Sequence, residues 1–143
     1  MDYPVIPLHE KHIKSVAALE KLCFPCPCSE EQFHAALQDK FIELFGICTA
    51  EERVIAYLLC SIIDEYAEIL NIATHPDFRQ KGLAKKLLNF WLAQDHIKKA
   101  HIILEVRAKN IPAQNLYAQC GFKQIHSRKN YYGDDDALVM ELK

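Results

Sequence analysis

The sequence lacks an apolar run near the roughly 20 residues that a membrane-spanning helix needs. Its first seven residues have neither the basic flank nor the apolar core of a secretion signal. It also lacks a strong excess of charge of either sign, since the formal net charge is −2 at pH 7. These absences predict a cytoplasmic protein that binds neither membranes nor nucleic acid.

The spacing typical of a metal site is also missing, although the chain has six cysteines. Cys23, Cys26 and Cys28 are clustered, but the Cys-Pro-Cys spacing is tighter than that of most zinc sites. Cys48 and Cys60 lie in apolar runs, where cysteine acts as a small core residue. The pattern favours free thiols in a reduced compartment and predicts no metal.

Apolar residues, in contrast, make up half of the 143 positions. That fraction is enough for a hydrophobic core without cross-links, and the length suits one domain over residues 1–143. Neither a repeat nor a low-complexity linker divides the chain. We therefore expect a single domain that acts as a monomer.

Hydrophobic periodicity predicts the element order β-α-α-β-β-β-α-β-α-β-β. Ser29 and Gln32 have the spacing of a capping box at the start of the second helix. The connections between the three central strands are short, which implies antiparallel pairing. The predicted fold is α+β (mixed α/β), with a largely antiparallel central sheet of about seven strands and about four helices. The predicted strands cover 3–8, 42–49, 54–63, 65–74, 101–107, 122–128 and 137–142, and the longest helix covers 82–97.

The junction between the strand 65–74 and the helix that begins at Gly82 is a candidate phosphate site. The first backbone N–H groups of a helix have no partner inside the helix, and the helix dipole is positive at that end. Because Gly82 has no Cβ, an anion could approach the backbone closely. The alternative is that Gly82 only permits a tight turn, since the spacing matches neither a P-loop nor a dinucleotide fingerprint.

The string Arg-Gln-Lys-Gly-Leu-Ala at 79–84 resembles the Gln/Arg-x-x-Gly-x-Gly/Ala pattern of the GNAT N-acetyltransferases. In that family the loop binds the pyrophosphate of acetyl-CoA through backbone amides, and the preceding strand orients the acetyl group. The resemblance implies acetyl-CoA as the acetyl donor and a backbone N–H of that strand as the oxyanion donor. The implied acetyl-CoA contacts are Asn71, Ile72, Ala73, Arg79, Gln80, Lys81, Gly82, Leu83, Ala84 and Asn110.

Longer strings are similar to the ribosomal-protein-alanine N-acetyltransferases, the RimI type. They are Leu-Glu-Val-Arg-Ala-Lys-Asn at 104–110, Asn-Leu-Tyr at 115–117 and Arg-Lys-Asn-Tyr-Tyr at 128–132. This resemblance implies that the acceptor is the N-terminal alanine of a ribosomal protein. A departure is the loop Cys26-Pro27-Cys28, because relatives often have tryptophan directly after Phe-Pro. A small-molecule amine, a lysine side chain, or a non-catalytic acyl-CoA-binding module remain as alternatives.

Glu105 and Tyr117 are the candidate catalytic residues. Glu105 lies on a strand otherwise rich in Ile, Leu and Val, where partial loss of water would make its carboxylate a stronger base. The resemblance implies that Glu105 accepts the proton of the amine; the alternative is a strand-end carboxylate that is paired with Arg107 or faces water. The phenol of Tyr117 could protonate the leaving thiolate, or Tyr117 could be a packed aromatic residue. Asn110 is expected to cap the helix that carries Tyr117.

Tyr131 and Tyr132 are candidates for the groove that receives the acceptor. If they lie on a strand, adjacent side chains point to opposite faces, so at most one of them can line the groove. Asp134, Asp135 and Asp136 follow and are predicted to form a solvated turn.

Overall fold

In the computed structural model of the protein, residues 3–143 are described, and they form one sheet with helices on both faces. The strands are β1 Ile6–Pro7, β2 Ile42–Cys48, β3 Val54–Ile63, β4 Tyr66–Thr74, β5 His101–Arg107, β6 Lys123–Arg128 and β7 Ala137–Leu142. The helices are α1 Ile13–Cys23, α2 Glu30–Gln38, α3 Leu83–Leu92, α4 Asp95–Lys98 and α5 Ile111–Gln119. Within residues 3–143, none of these helices combines the length and apolar character that crossing a membrane requires.

The seven strands are arranged in the order β1-β2-β3-β4-β5-β7-β6. Every neighbouring pair is antiparallel except β4 and β5, which are parallel. The connection from β4 to β5 contains α3 and α4, and a crossover of this kind is what a parallel pair needs. The predicted class, a mixed α/β fold on a largely antiparallel sheet, is confirmed.

A β-bulge divides β4 into two parts. Leu59 of β3 pairs with Asn71 and Cys60 pairs with Ile69, so Leu70 is the extra residue between them. Before the bulge, β4 pairs with β5 from Tyr66 to Ile69; after it, the described ladder contains no β4–β5 pair. The two strands therefore separate at the bulge.

Each face of the sheet carries its own hydrophobic core. On one face, α3, α4 and α5 bury Leu87, Trp91 and Ile97 against β2–β5. On the other face, α1 and α2 bury Val16 and Phe33 against β2–β4. On this second face, the side chains of β5 at 103, 105 and 107 are only partly buried or exposed, so α1 and α2 leave this part of the sheet open.

The predicted helix 82–97 is wrong in one respect, because it is broken after Leu92. Gln94 has extended backbone angles and begins α4. Trp91 and Ile97 are both almost fully buried, but on a continuous helix they would lie roughly 240° apart around the axis. The break lets both side chains face the sheet, and it gives five α-helices among the described residues instead of about four.

The N-terminal elements agree with the prediction in kind and differ in extent. β1 has two residues where the pattern predicted a strand over 3–8. The capping box of α2 is confirmed, since the Gln32 N–H donates to Ser29 Oγ at 3.1 Å and the Ser29 N–H donates to Gln32 Oε1 at 2.8 Å.

Candidate functional site

A groove of about 810 Å³ lies where β4 has separated from β5. One wall is the second half of β4, at Ile72, Ala73 and Thr74, and the opposite wall is α5 with its cap Asn110. The loop before α3 and the first turn of α3 close one side, through Phe78, Arg79, Gln80, Gly82, Leu83, Ala84 and Lys85. The end of α1 and the start of its loop also reach the groove, at Cys23 and Phe24.

The loop before α3 has the backbone that an anion site requires. Gln80 and Gly82 have φ angles of 63° and 76°, in the left-handed region. Gly82 is the N-cap of α3, and its carbonyl accepts the first helical hydrogen bond from the Lys86 N–H at 3.0 Å. The N–H groups of the first turn of α3 therefore lie beside the groove without partners inside the helix. This arrangement suits a phosphate group, and it supplies positive potential without a side chain.

The basic side chains near this loop have different surroundings. Arg79 donates from Nε to the Thr74 carbonyl at 3.1 Å and from Nη2 to Cys23 Sγ at 3.8 Å, so it joins β4 to the end of α1. Lys86 Nζ donates to the Tyr3 carbonyl. Lys85 lines the groove, whereas Lys81 is absent from its lining.

Asn71 and Asn110 were both predicted to contact the donor, but their side chains have structural partners. Asn71, which is absent from the groove lining, donates from its amide to Glu20 Oε1 at 2.8 Å and to the Tyr57 hydroxyl at 3.1 Å. Asn110 Oδ1 accepts from the Ala113 N–H at 3.2 Å, so the predicted cap of α5 is confirmed. Asn110 also lines the groove. Contacts from the Asn71 backbone and from Asn110 to the donor stay predictions.

Glu105 lies on the open part of the sheet, and its side chain is 24% exposed. Its ion-pair partner is Arg128, with Nη1 at 3.5 Å from Oε1. Arg107, the partner in one form of the alternative interpretation, pairs instead with Asp134 at 2.9 Å. The partial exposure of Glu105 is compatible with the other form, a carboxylate that faces water. Glu105 is absent from the lining of the groove, so a proton acceptor here would act from the adjacent open face.

Glu68 is a second carboxylate of this region that the sequence analysis did not identify. It lies on β4 before the bulge, and its partner in the parallel ladder is Ile103, two residues before Glu105. Burial and the nearby charge of Glu105 raise the pKa of Glu68, and Arg128 opposes this shift. The sequence pattern did not reveal that Glu68 lies near Glu105, because the Leu70 bulge changes the face on which alternate residues of β4 lie.

Tyr117 lies on α5 and is 5% exposed, with its ring 5.9 Å from that of Phe122, and it is absent from the lining of the groove. Burial raises its pKa well above the ordinary tyrosine value, and the nearby Cys60 adds to the shift. The phenol is therefore protonated at neutral pH and can donate a hydrogen bond. These contacts also satisfy the alternative of a packed aromatic residue, so the catalytic role stays a prediction.

Tyr131 and Tyr132 lie in the turn after β6, so the premise that they occupy a strand is wrong. Their rings meet edge to face at 5.1 Å. Arg107 stacks on the Tyr132 ring at 4.2 Å and Arg128 stacks on the Tyr131 ring at 5.4 Å. Both tyrosines can therefore contribute to one surface beside Glu105, and their role in binding an acceptor stays a prediction.

The predicted solvated turn at 134–136 is wrong for Asp135, which is only 7% exposed. Its carboxylate accepts from the Lys109 N–H at 2.9 Å and from the Asp136 N–H at 2.8 Å. Asp134 contributes the ion pair to Arg107. This turn fixes the segment that links β5 to α5 and thereby one end of the groove.

The six cysteines are all free. Burial raises the pKa of the Cys120 thiol, so little thiolate is present at neutral pH and an acetyl-cysteine intermediate at this residue is disfavoured. Burial and the neighbouring Glu20 likewise raise the pKa of Cys28. Among residues 3–143, no group of three or more His, Cys, Asp and Glu side chains could hold a metal ion.

Residues 13–122, more than half of the chain, match the model of the Acetyltransferase (GNAT) family. The chain belongs to this family. It is therefore an acetyl-CoA-dependent N-acetyltransferase, as the resemblance of its loop 79–84 implied. The groove between β4 and α5 is the part of this acetyltransferase whose geometry suits the phosphates and the extended arm of the donor.

Curated relatives and a solved structure resemble the acetyltransferase over most of its length. It is 32% identical over 131 residues, 87% of this chain and 86% of the relative, to the ribosomal protein bS18-alanine N-acetyltransferase of Salmonella typhimurium strain LT2. The enzyme of that name from Haemophilus ducreyi is 37% identical over 100 residues, 66% of this chain and 69% of the relative. The crystal structure of the ribosomal-protein-S18-alanine N-acetyltransferase from Escherichia coli superposes with a TM-score of 0.87 at 28% identity, covering 99% and 93% of the two chains.

We predict that Gly82→Ala weakens acetyl-CoA binding at least about tenfold, since an added Cβ would obstruct the close approach of an anion to the backbone. That Cβ would meet no protein atom within 4 Å, so it would stand in the open space beside the groove. Isothermal titration calorimetry with acetyl-CoA measures the change. Gly133→Ala is the matched control, because Gly133 also has a positive φ and open space around a Cβ. Equal acetyl-CoA affinity in the two variants would contradict the prediction.

We predict that Glu68→Gln raises the melting temperature at pH 7.5 and leaves it unchanged near pH 4. Because the pKa of Glu68 is raised by folding, the ionised carboxylate destabilises the folded state at pH values above the ordinary glutamate pKa. The wild type therefore loses stability as the pH rises from the ordinary glutamate pKa through the raised pKa, and the glutamine variant does not. Thermal unfolding across pH 4–8 measures the difference, with the exposed Glu65→Gln as the control. A melting-temperature difference that does not change with pH would refute the prediction.

Proposed function

We propose that this N-acetyltransferase acetylates the N-terminal α-amine of a protein, and that its acceptor is the N-terminal alanine of a ribosomal protein. Support comes from the chain-long similarity to enzymes whose names state this acceptor. The observation that carries the proposal is the open sheet face around Glu105, which adjoins the donor groove at the Leu70 bulge. An extended peptide terminus has room on such a face, where no helix of the second core covers β5.

In the proposed reaction, the acetyl-CoA phosphates bind the first-turn amides of α3, and the pantetheine arm lies along the Asn71–Ala73 backbone. The amine nitrogen attacks the thioester carbonyl carbon directly, the C–S bond breaks, and an amide and the thiol of CoA are the products. A backbone N–H at Ile72 or Ala73 stabilises the oxyanion, and this part of β4 has no hydrogen-bonded partner in β5. No metal and no covalent enzyme intermediate is needed.

Glu105 is the proposed proton acceptor, and the proton travels through a water where the carboxylate does not reach the amine. An α-amine with a pKa of about 7.7–8.0 is largely protonated at neutral pH, so it must lose a proton before it attacks. Arg128 holds the Glu105 carboxylate at 3.5 Å and limits its orientation. Tyr131 and Tyr132 are the proposed walls of the acceptor site. Arg128 stacks on the Tyr131 ring and Arg107 stacks on the Tyr132 ring, and these contacts hold both rings beside Glu105.

Tyr117 is the proposed proton donor to the leaving thiolate. Its protonated phenol is carried by α5, and its neighbours Leu116 and Asn115 line the groove. We further propose that residues 1–143 form one catalytic domain, that it acts as a monomer in the cytoplasm, and that its partners are acetyl-CoA and the acceptor protein.

We predict that a peptide with N-terminal alanine has a kcat/KM at least about tenfold higher than that of other amines. The comparison amines are polyamines, aminoglycosides and a peptide with a blocked α-amine, in which a lysine side chain is the only amine. A tenfold ratio corresponds to about 1.4 kcal/mol of selective transition-state binding, which a few directed contacts can supply. Release of CoA from acetyl-CoA measures turnover for the whole panel. Faster turnover of the small amines, with none on the alanine peptide, would contradict the proposed acceptor.

We predict that Glu105→Gln binds acetyl-CoA as the wild type does but loses about 10²–10⁴-fold in kcat at pH 7, the typical contribution of a general base. The loss should shrink above pH 8, because the amine then loses its proton to solvent. Steady-state rates from pH 6 to 9.5, with the surface variant Glu52→Gln as the control, measure this effect. Parallel pH profiles in Glu105→Gln and wild type, or unchanged rates in the variant, would overturn the assignment of Glu105 as the base.

A further inference from the structure

Glu20 is a buried carboxylate that none of the proposed chemistry uses. It lies in the C-terminal half of α1 and is only 2% exposed. A carboxylate is costly to bury unless hydrogen-bond donors surround it, so a buried one has partners that the fold must hold in place. The donors around Glu20 come from three different parts of the chain, which are the loop after α1, β3 and β4.

One oxygen of Glu20 holds the loop that follows α1. The Cys28 N–H donates to Oε2 at 2.8 Å. This loop, residues 24–28, contains Pro25 and Pro27, which have no N–H to donate. The Phe24 N–H already donates to the Glu20 carbonyl at 2.9 Å. Cys28 is therefore one of the few backbone donors through which this loop can be fixed to the rest of the protein.

The other oxygen holds the strand that forms the donor wall. Asn71 Nδ2 donates to Glu20 Oε1 at 2.8 Å, and the Tyr57 hydroxyl donates to the same oxygen. Asn71 is the first residue after the Leu70 bulge, where β4 leaves β5. One carboxylate thus bridges the loop 24–28 and the start of the strand segment that lines the groove.

The bridge lies between the groove and the open sheet face. The loop 24–28 joins α1 to α2, and both helices cover the same sheet face on which Glu105 lies. Cys23 and Phe24, at the start of this loop, already line the groove. The end of α1, the start of this loop and the strand segment after the bulge therefore all border the groove on the side of the open face, where an opening for the amine would lie.

We propose that Glu20 is a positioning residue that sets this opening by holding the loop 24–28 against Asn71 of β4. The inference rests on the proposed function in so far as the acceptor enters from the open face. It assigns to a buried side chain outside the reaction centre a larger effect on the acceptor than on acetyl-CoA. The hydrogen bonds of the Glu20 carboxylate reach the Cys28 N–H, the Tyr57 hydroxyl and the Asn71 side chain, and not the β4 backbone or the turn before α3 where acetyl-CoA is proposed to bind.

Three variants test the bridge. In Glu20→Gln the side chain keeps its shape, but the NH₂ end of its amide cannot accept a hydrogen bond. With the Asn71 amide and the Tyr57 hydroxyl donating as they do now, one side of the bridge therefore lacks an acceptor whichever way the glutamine amide turns. In the double variant Glu20→Gln with Asn71→Asp, amide and carboxylate exchange places. The introduced glutamine can then accept from the Cys28 N–H while it donates to the carboxylate introduced at position 71. Glu43→Gln is the matched control, because Glu43 is a carboxylate that accepts from Trp91 Nε1 at 3.0 Å on the other face of the sheet.

The readouts separate positioning from stability. Thermal unfolding gives the melting temperature, calorimetry gives the Kd of acetyl-CoA, and steady-state kinetics gives KM and kcat for the acceptor. Hydrogen–deuterium exchange of segments 24–29 and 70–74 reports the bridge itself. The acceptor in these assays is whichever amine of the panel described above the wild type acetylates most efficiently. Failure of the alanine-peptide proposal would therefore show in the wild-type panel, whereas failure of the Glu20 proposal would show in the variants.

We expect Glu20→Gln to raise the acceptor KM about tenfold, a misplacement effect, while the Kd of acetyl-CoA changes less than about twofold. Exchange should rise in at least one of the two segments, and the double variant should return both KM and exchange towards wild-type values. Glu43→Gln should lower only the melting temperature. An unchanged acceptor KM in folded Glu20→Gln, or an equal loss of acetyl-CoA affinity, would overturn the proposal. If Glu20→Gln does not fold, a folded double variant with wild-type KM supports the proposal, and one with a high KM overturns it.

Discussion

The separation of β4 from β5 at Leu70 is the constraint on which the rest of the structure depends. A parallel pair that continued along both strands would satisfy the backbone of Ile72 and Ala73 internally and would close the groove. One extra residue ends the pairing after Ile69, and the groove begins there. Helices on both faces then frame the gap, α5 and the start of α3 from one side and the end of α1 from the other.

Around the open sheet face, two arginines each link a carboxylate to a tyrosine ring. Arg128 lies between Glu105 and the Tyr131 ring, and Arg107 lies between Asp134 and the Tyr132 ring. These contacts are partly exposed, and each contributes little to stability by itself. Their effect is geometric, because they hold two aromatic rings in a turn that has no strand to order it.

Periodicity predicted most of the fold, because helices and strands on a two-sided sheet need regular apolar faces. It could not predict the bulge, since Ile69, Leu70 and Ile72 are all apolar and no glycine marks the irregular position. It also missed the break after Leu92, which depends on burying Trp91 and Ile97 together. The family motif predicted a donor-binding loop at 79–84, and residues of this loop line the groove, although their contacts to the donor stay predictions. The partners of Asp135 and Glu20 are distant in sequence and have no local signal.

The last strand in the sheet, β6, has all six residues exposed and forms an edge of the sheet. An unprotected edge can pair with another chain and lead to aggregation. Here a register shift between Gln124 and His126 leaves Ile125 as an extra residue, and Lys123 and Arg128 stand at the two ends of the strand. The irregular backbone and the terminal cations disfavour edge-to-edge pairing. The β6–β7 hairpin, which carries Arg128, can therefore stay exposed to solvent without pairing with the sheet of another molecule.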